Sequence, residues 1–276
     1  EDWRVKENST VTYSVGGLIL SNSGAVTANY WLSEIYDEEI AEAHRNADIH
    51  IHDLSMLTGY CAGWSLKQLI QEGLGGISGK ITSAPAAHLS VLCNQMVNFL
   101  GIMQNEWAGA QAFSSFDTYL APFVKVDNLT YREVKKCIEA FIYGVNTPSR
   151  WGTQAPFSNI TLDWTVPADL AELPAIVGGK EMDFKYKDCK KEMDMVNRAF
   201  LEIMIEGDAN GRGFQYPIPT YSITRDFDWS DTENNRLLFE MTSKYGTPYF
   251  SNYINSDMEP SDVRSMCCRL RLDLRE

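Results

Sequence analysis

With 276 residues, 44% of them hydrophobic and 22% charged, the chain has the composition of a globular protein able to build one large core. A net charge of −13 argues against a nucleic-acid surface, which needs clustered Lys and Arg. It leaves small phosphorylated ligands open, because a few local donors suffice for those. No run of eighteen apolar residues occurs, so no membrane span is expected. The six cysteines are scattered and no signal peptide precedes them, which predicts reduced thiols and a cytoplasmic location.

The chain starts Glu1-Asp2-Trp3-Arg4, with neither an initiator Met nor a signal peptide, and is expected to have been cut from something longer. Asn8 to Gly17 is dense in hydroxyls and glycine. It suits either a loop offering N–H and O–H donors to a triphosphate or a solvated N-terminal turn. Residues 23 to 47 predict a helix, with Ala28, Trp31, Leu32, Ile35, Tyr36 and Ile40 as its apolar stripe. Ile49-His50-Ile51-His52-Asp53 alternates with period two and predicts a first strand carrying both imidazoles on one face. Gly73, Gly75, Gly76 and Gly79 mark a flexible loop. A phosphate-loop pattern fails there at Leu74 and Ile81. From about Pro85 to Leu120, Val91, Leu92, Met96, Phe99, Leu100, Met103 and Trp107 recur at three and four residues and predict one long buried helix.

A pattern then repeats. Gly152 to Asp163, Gly213 to Thr224 and Gly246 to Asn255 each run from glycine through proline into aromatic and β-branched residues, as strands do. Helical stretches near 131–145, 185–206 and 232–245 separate them, and Val263 to Leu272 would be the next strand. Crossovers this long imply parallel strands and a β/α barrel or part of one, without a linker to divide it. Sites in such folds gather at strand ends.

Several residues could carry chemistry. His50-x-His52-Asp53 resembles the paired ligands of metal-dependent barrel hydrolases, but all four His of the chain precede residue 89 and no further ligands are spaced to complete a site. The bland reading has His52 and Asp53 ordering loops at a pocket rim. Cys61 follows the predicted first strand closely. Cys267 and Cys268 are vicinal, so on a strand one thiol faces a cavity and the other the packing behind it. Cys61 and one of that pair could meet across a barrel mouth; the alternative is a pair of buried thiols. Cys93 and Cys137 fall in apolar helical patterns and predict inert packing, whereas Cys189 lies among lysines and acids and predicts exposure. Asn8-Ser9-Thr10, Asn128-Leu129-Thr130 and Asn159-Ile160-Thr161 match the glycosylation pattern by chance.

Four segments together resemble the anaerobic, class III, glycyl-radical ribonucleoside-triphosphate reductases. They are Asp48 to Leu54 with Gly59-Tyr60-Cys61, Gln104 to Asp117, Thr147 to Gly152 with Pro156-Phe157-Ser158-Asn159-Ile160, and Met266-Cys267-Cys268-Arg269. The resemblance implies an α/β fold, the first half of a ten-stranded β/α barrel, with residues 1–276 as a partial catalytic domain and long helices at a homodimer interface. It implies reduction of ribonucleoside triphosphates to deoxyribonucleotides, with formate as reductant. A glycyl radical on a later segment would generate a thiyl radical on a finger-loop cysteine. Relatives that place the essential cysteine directly before the arginine select Cys268, with Cys267 packing behind it and Cys61 as the opposing hydrogen donor. Asn8, Ser9, Thr10, Ser14 and His52 would line the substrate pocket. Gln104, Glu106 and Gln111 would serve a deoxynucleotide effector. A radical-SAM activating enzyme, an ATP-binding cone and a C-terminal zinc site also belong to the family; the last two lie outside this chain. Two rival readings are the metal-dependent hydrolase built on His50 and His52 and a non-catalytic nucleotide-binding module.

Overall fold

The computed structural model describes residues 15–75, 79, 81–149 and 154–256, with two short strands at 263–265 and 271–273. Asn8, Ser9, Thr10, Ser14, Cys267 and Cys268 lie outside the described residues. Helix α1 (Val15–Tyr30) runs into a π turn at Trp31–Ile35, and α2 (Glu38–Arg45) follows. The helix predicted over 23–47 is therefore interrupted where Tyr36 turns extended, with ψ 146°. The predicted strand at 49–53 is a loop. Asp53 adopts a left-handed φ of 53°, and Ile51 N–H donates to His44 Nδ1 at 3.2 Å rather than to a neighbouring strand.

The first strand, β1 (Ala62–Trp64), instead begins directly after Cys61, and α3 (Leu66–Glu72) follows under a Ser65 cap. The long helix predicted from 85 to 120 is three elements: α4 (Leu89–Met103), β2 (Gln111–Phe113) and α5 (Phe116–Val126). The break has a packing cause. Ala108 to Ala110 bend alongside Gly59 to Ala62, with Ala108 N–H donating to Gly59 O and Ala62 N–H to Ala110 O, both at 3.0 Å. A Cβ on Gly109 would meet Tyr60 O at 2.8 Å and Cys61 Sγ at 2.9 Å, so only glycine permits this approach.

Helix α6 (Tyr131–Asn146) forms as predicted, started by a Thr130–Glu133 capping box. After β3 (Ser158–Leu162) and the short α7 (Ala168–Ala171) comes a hairpin, β4 (Pro174–Val177) with β5 (Lys180–Lys185), turning on Gly178 and Gly179 at positive φ. Helix α8 (Lys190–Glu206), β6 (Ile218–Ile223), α9 (Glu233–Tyr245) and β7 (Tyr249–Asn252) complete the main body. The repeated glycine–proline pattern thus does mark β3, β6 and β7. The single strand predicted over 263–272 is instead an antiparallel pair, β8 (Val263–Ser265) with β9 (Arg271–Asp273).

The five main strands form one all-parallel sheet in the order β1-β2-β3-β6-β7, which is also their order along the chain. Adding each strand on the same side of the last puts every right-handed crossover on one face. That face is the core: Phe113, Ile160, Leu162 and Tyr221 pack among Phe116, Phe141 and Phe200 from the helices. Burying a side chain of this size contributes about 1.5–3 kcal/mol. The Trp64 ring lies edge-on to Phe99 of α4, which in turn packs on Phe113 with centroids 5.5 Å apart.

Candidate active site

Because side chains alternate along a strand, the residues between these core positions face the other way. Register places Gly63 beside Ala112, Ala112 beside Asn159, Thr161 beside Thr220, and Ser222 beside Ser251. This open face is small and polar where the helix face is large and apolar. Cys61 stands two residues before Gly63, in a segment still paired to β2's approach, and so belongs to the open face. Its sulfur accepts the Ala110 N–H at 3.3 Å, and the residue is half-buried.

Cys61 therefore precedes the first strand rather than following it. Beside it, the Tyr60 ring meets the His52 ring at 6.2 Å, which brings His52 to the edge of the Cys61 segment. His52 Nδ1 faces His50 Nε2 at 3.1 Å, and His52 Nε2 lies 3.9 Å from Asp53 Oδ2. The two imidazoles turn toward each other rather than toward a shared ion. Among the described residues no three of His, Cys, Asp or Glu gather in a metal-holding group.

The three effector candidates have different local partners. Gln104 ends α4, is buried and donates to Ser149 Oγ. Glu106 is exposed, and its carbonyl accepts from Thr58 Oγ1. Gln111 is buried on the helix face, where its Oε1 accepts the Trp64 indole N–H at 2.5 Å.

A second cluster lies where β3 ends. The buried Asp117 carboxylate accepts four hydrogen bonds, from the backbone N–H groups of Thr118, Asp163 and Trp164 and from Asn197 Nδ2, at 2.8–3.0 Å. Asn197 in turn accepts from the Tyr221 hydroxyl at 2.9 Å. One side chain thus ties α5, α8 and β6 to the end of β3. Thr118 Oγ1 donates to Asp163 Oδ2 at 2.6 Å. Burial, and then the Asp117 charge, push the Asp163 carboxyl up to about 8. Burial also raises Asp117, against the four bonds that favour its charged form.

The sequence profile of a family described as anaerobic ribonucleoside-triphosphate reductase matches residues 7–276. The chain belongs to that family. No curated protein matches it significantly. Among solved structures, the anaerobic ribonucleotide reductase of Thermotoga maritima in complex with dATP and CTP is 20% identical, with a TM-score of 0.67, over 88% of this chain and 43% of that one. The same organism's enzyme with MES in the active site is 20% identical, with a TM-score of 0.67, over 93% and 45%. With dATP in the specificity site it is 21% identical, with a TM-score of 0.62, over 88% and 42%. This reductase-family chain therefore shares their fold and spans less than half the length of each. Among its described residues no helix is long and apolar enough to cross a membrane.

Cys189, predicted to be exposed, is 1% exposed. The turn Tyr186–Cys189 tucks it against Ala121 and Met193, and burial pushes its thiol up to about 12. Asn159, Thr161, Thr220 and Ser222 are absent from the sequence-based site, although their alternation with Ile160, Leu162, Tyr221 and Ile223 was a usable signal. Asp117 signalled itself as a lone charge inside the apolar run Phe116 to Val124.

Proposed function

We propose that this chain forms the first half of the catalytic barrel of an anaerobic ribonucleotide reductase. It would reduce ribonucleoside triphosphates at the open face of the sheet. The observation that carries the proposal is the position of Cys61. A half-buried thiol sits on the sheet face opposite the helical core, beside a floor of Gly63 and Ala112, in a chain of this family. Five parallel strands wound in chain order also suit half of a ten-stranded barrel.

In this reading a glycyl radical on another segment supplies the oxidising equivalent. Cys268 carries the resulting thiyl and takes the ribose 3′ hydrogen, while Cys267 packs behind it. The 2′ hydroxyl leaves as water, and Cys61 delivers a hydrogen atom to the 2′ carbon. Formate supplies the two electrons that close the cycle. The Ala110 N–H fixes the Cys61 sulfur in place, so that the thiol is oriented before substrate arrives. His52, held by His50 and Tyr60, is placed to position a hydroxyl at the rim. Asn8, Ser9, Thr10 and Ser14 complete the substrate pocket. Gln104, Glu106 and Gln111 serve a dNTP or ATP effector at a homodimer interface built from the long helices. A radical-SAM enzyme installs the radical, and zinc belongs to the later region.

Single replacements in the complete reductase test this. Cys268→Ser and Cys61→Ser are each expected to abolish deoxynucleotide formation while the glycyl-radical signal stays normal. Cys267→Ser is expected to retain most activity. Turnover by Cys268→Ser with a normal radical would overturn the assignment.

A further inference from the structure

Asn159 sits in the middle of β3, on the open face. It is 0% exposed, yet neither its Oδ1 nor its Nδ2 has a hydrogen-bond partner. Thr161 Oγ1 and Thr220 Oγ1, directly paired across β3 and β6, are also buried and unpartnered. Each such atom costs about 1–3 kcal/mol relative to a satisfied one. Valine or leucine at these positions would fold more stably, so the folded chain alone gives no reason for the amide and hydroxyls. Gln111 Nε2 and Ser158 Oγ on the helix face are unpartnered as well, but Asn159 lacks partners at both of its polar atoms and shares one patch with Thr161 and Thr220 on the Cys61 face, which marks this patch as a surface for a ligand.

The geometry limits that ligand. Strands lie about 4.8 Å apart and rise about 3.3 Å per residue. Two strands and one two-residue step therefore separate the Cys61 and Asn159 Cα atoms by about 12 Å. Between them stand Gly63, Ala110 and Ala112, which add nothing beyond a Cβ to the floor. With both side chains reaching inward, the gap has the width of a single pentose. None of Gly63, Ala112, Asn159, Thr161 or Thr220 is charged, so this patch suits the sugar and not the phosphates. A carboxamide carries an acceptor and a donor side by side. A cis-diol presents an O–H and a neighbouring oxygen at matching spacing.

We propose that Asn159 binds the 2′,3′-cis-diol of the substrate ribose through both of its amide atoms, with the Thr161 and Thr220 hydroxyls completing the contact. This rests on the reductase reading of the Cys61 face. It adds a consequence: a product that has lost its 2′ hydroxyl satisfies only one of the two amide atoms. A site built to bond a hydroxyl rejects the analogue that lacks it, so Asn159 discriminates substrate from product.

The test is Asn159→Leu in the complete reductase, read by equilibrium binding of a ribonucleoside triphosphate and of its 2′,3′-dideoxy analogue, with thermal unfolding alongside. The ribonucleotide is expected to bind roughly tenfold or more weakly, the loss of one to two hydrogen bonds. The dideoxy analogue is expected to bind almost as before, and the melting temperature to rise because an unpartnered amide has been removed. Asn159→Ser, which keeps one hydroxyl, should fall between wild type and Leu, and it serves if the leucine does not fold. Equal losses for both nucleotides, or no loss for either, would overturn the assignment. The affinity ratio tests Asn159 directly, whereas absence of deoxynucleotide formation by the wild type would count against the reductase reading instead.

Discussion

On one face of the sheet Phe113, Ile160, Leu162 and Tyr221 interlock with the helices, and the one polar atom among them, the Tyr221 hydroxyl, is bonded to Asn197. On the other face, the same strands present Asn159, Thr161 and Thr220, buried and without partners, next to Gly63 and Ala112. From Ile160 to Leu162 and Tyr221, adjacent residues of these strands thus alternate between a large apolar face and a polar one without partners. The helix face mostly follows the economy of a folded core, in which volume is filled and polar atoms are bonded, with Gln111 Nε2 and Ser158 Oγ at its entry end as unpartnered exceptions. The open face departs from it, and such departures are expected where a protein meets its ligand.

Replacing matched residues on the two faces should separate them. Phe113→Ala removes a fully buried ring from the core and is expected to cost about 3–5 kcal/mol in denaturant unfolding. Thr220→Val, an exchange of similar volume on the open face, is expected to leave stability unchanged or raise it by about 1 kcal/mol. A loss at Thr220 comparable to that at Phe113 would break the comparison, because it would make the open face an ordinary core.

A smaller effect separates the two polar regions. Unlike Asn159, the Asp117–Asp163 cluster is fully bonded, and its strain is electrostatic. Free Asp loses its proton near 3.8, whereas Asp163 in the fold keeps it to about 8. Between those values the folded chain binds more protons than the unfolded one, so stability falls as pH rises through that window and levels off above it. The groups facing Asp163 are Asp117, Thr118 and Ser115 from the start of α5, and Asp169 of α7. Asp163→Asn is expected to flatten this part of the pH–stability profile. An unchanged slope in that variant would show that the proton resides elsewhere in the cluster.

How much of this was legible in the residues varied with the kind of signal. The glycine–proline repeats located β3, β6 and β7, because strand entry has a local chemistry. The helical stretch near 131–145 located α6, whose Thr130–Glu133 capping box was a further signal that went unread. The loop at 49–53 imitated a strand because alternation alone does not require a partner strand, and here His44 takes the Ile51 N–H. Ala108-Gly109-Ala110 imitated a helix, since small residues fit both states. Only the close approach of Tyr60 and Cys61 decides against the helix. Val177-Gly178-Gly179-Lys180 is a hairpin signal that the helical reading of the flanking stretch concealed. Cys61 was legible as a reactive position, but Asn159 was hidden inside a pattern read as a chance glycosylation match. Its meaning depends on which face of β3 the helices leave open, and that is set by the winding of the sheet.

The most direct test of the central claim is the structure of the complete reductase with a ribonucleoside triphosphate bound. The expected result is a ribose lying on the Gly63–Ala112 floor, its 2′ carbon toward the Cys61 sulfur and its diol toward Asn159. A ribose bound on any other surface, with Asn159 still unpartnered, would contradict it.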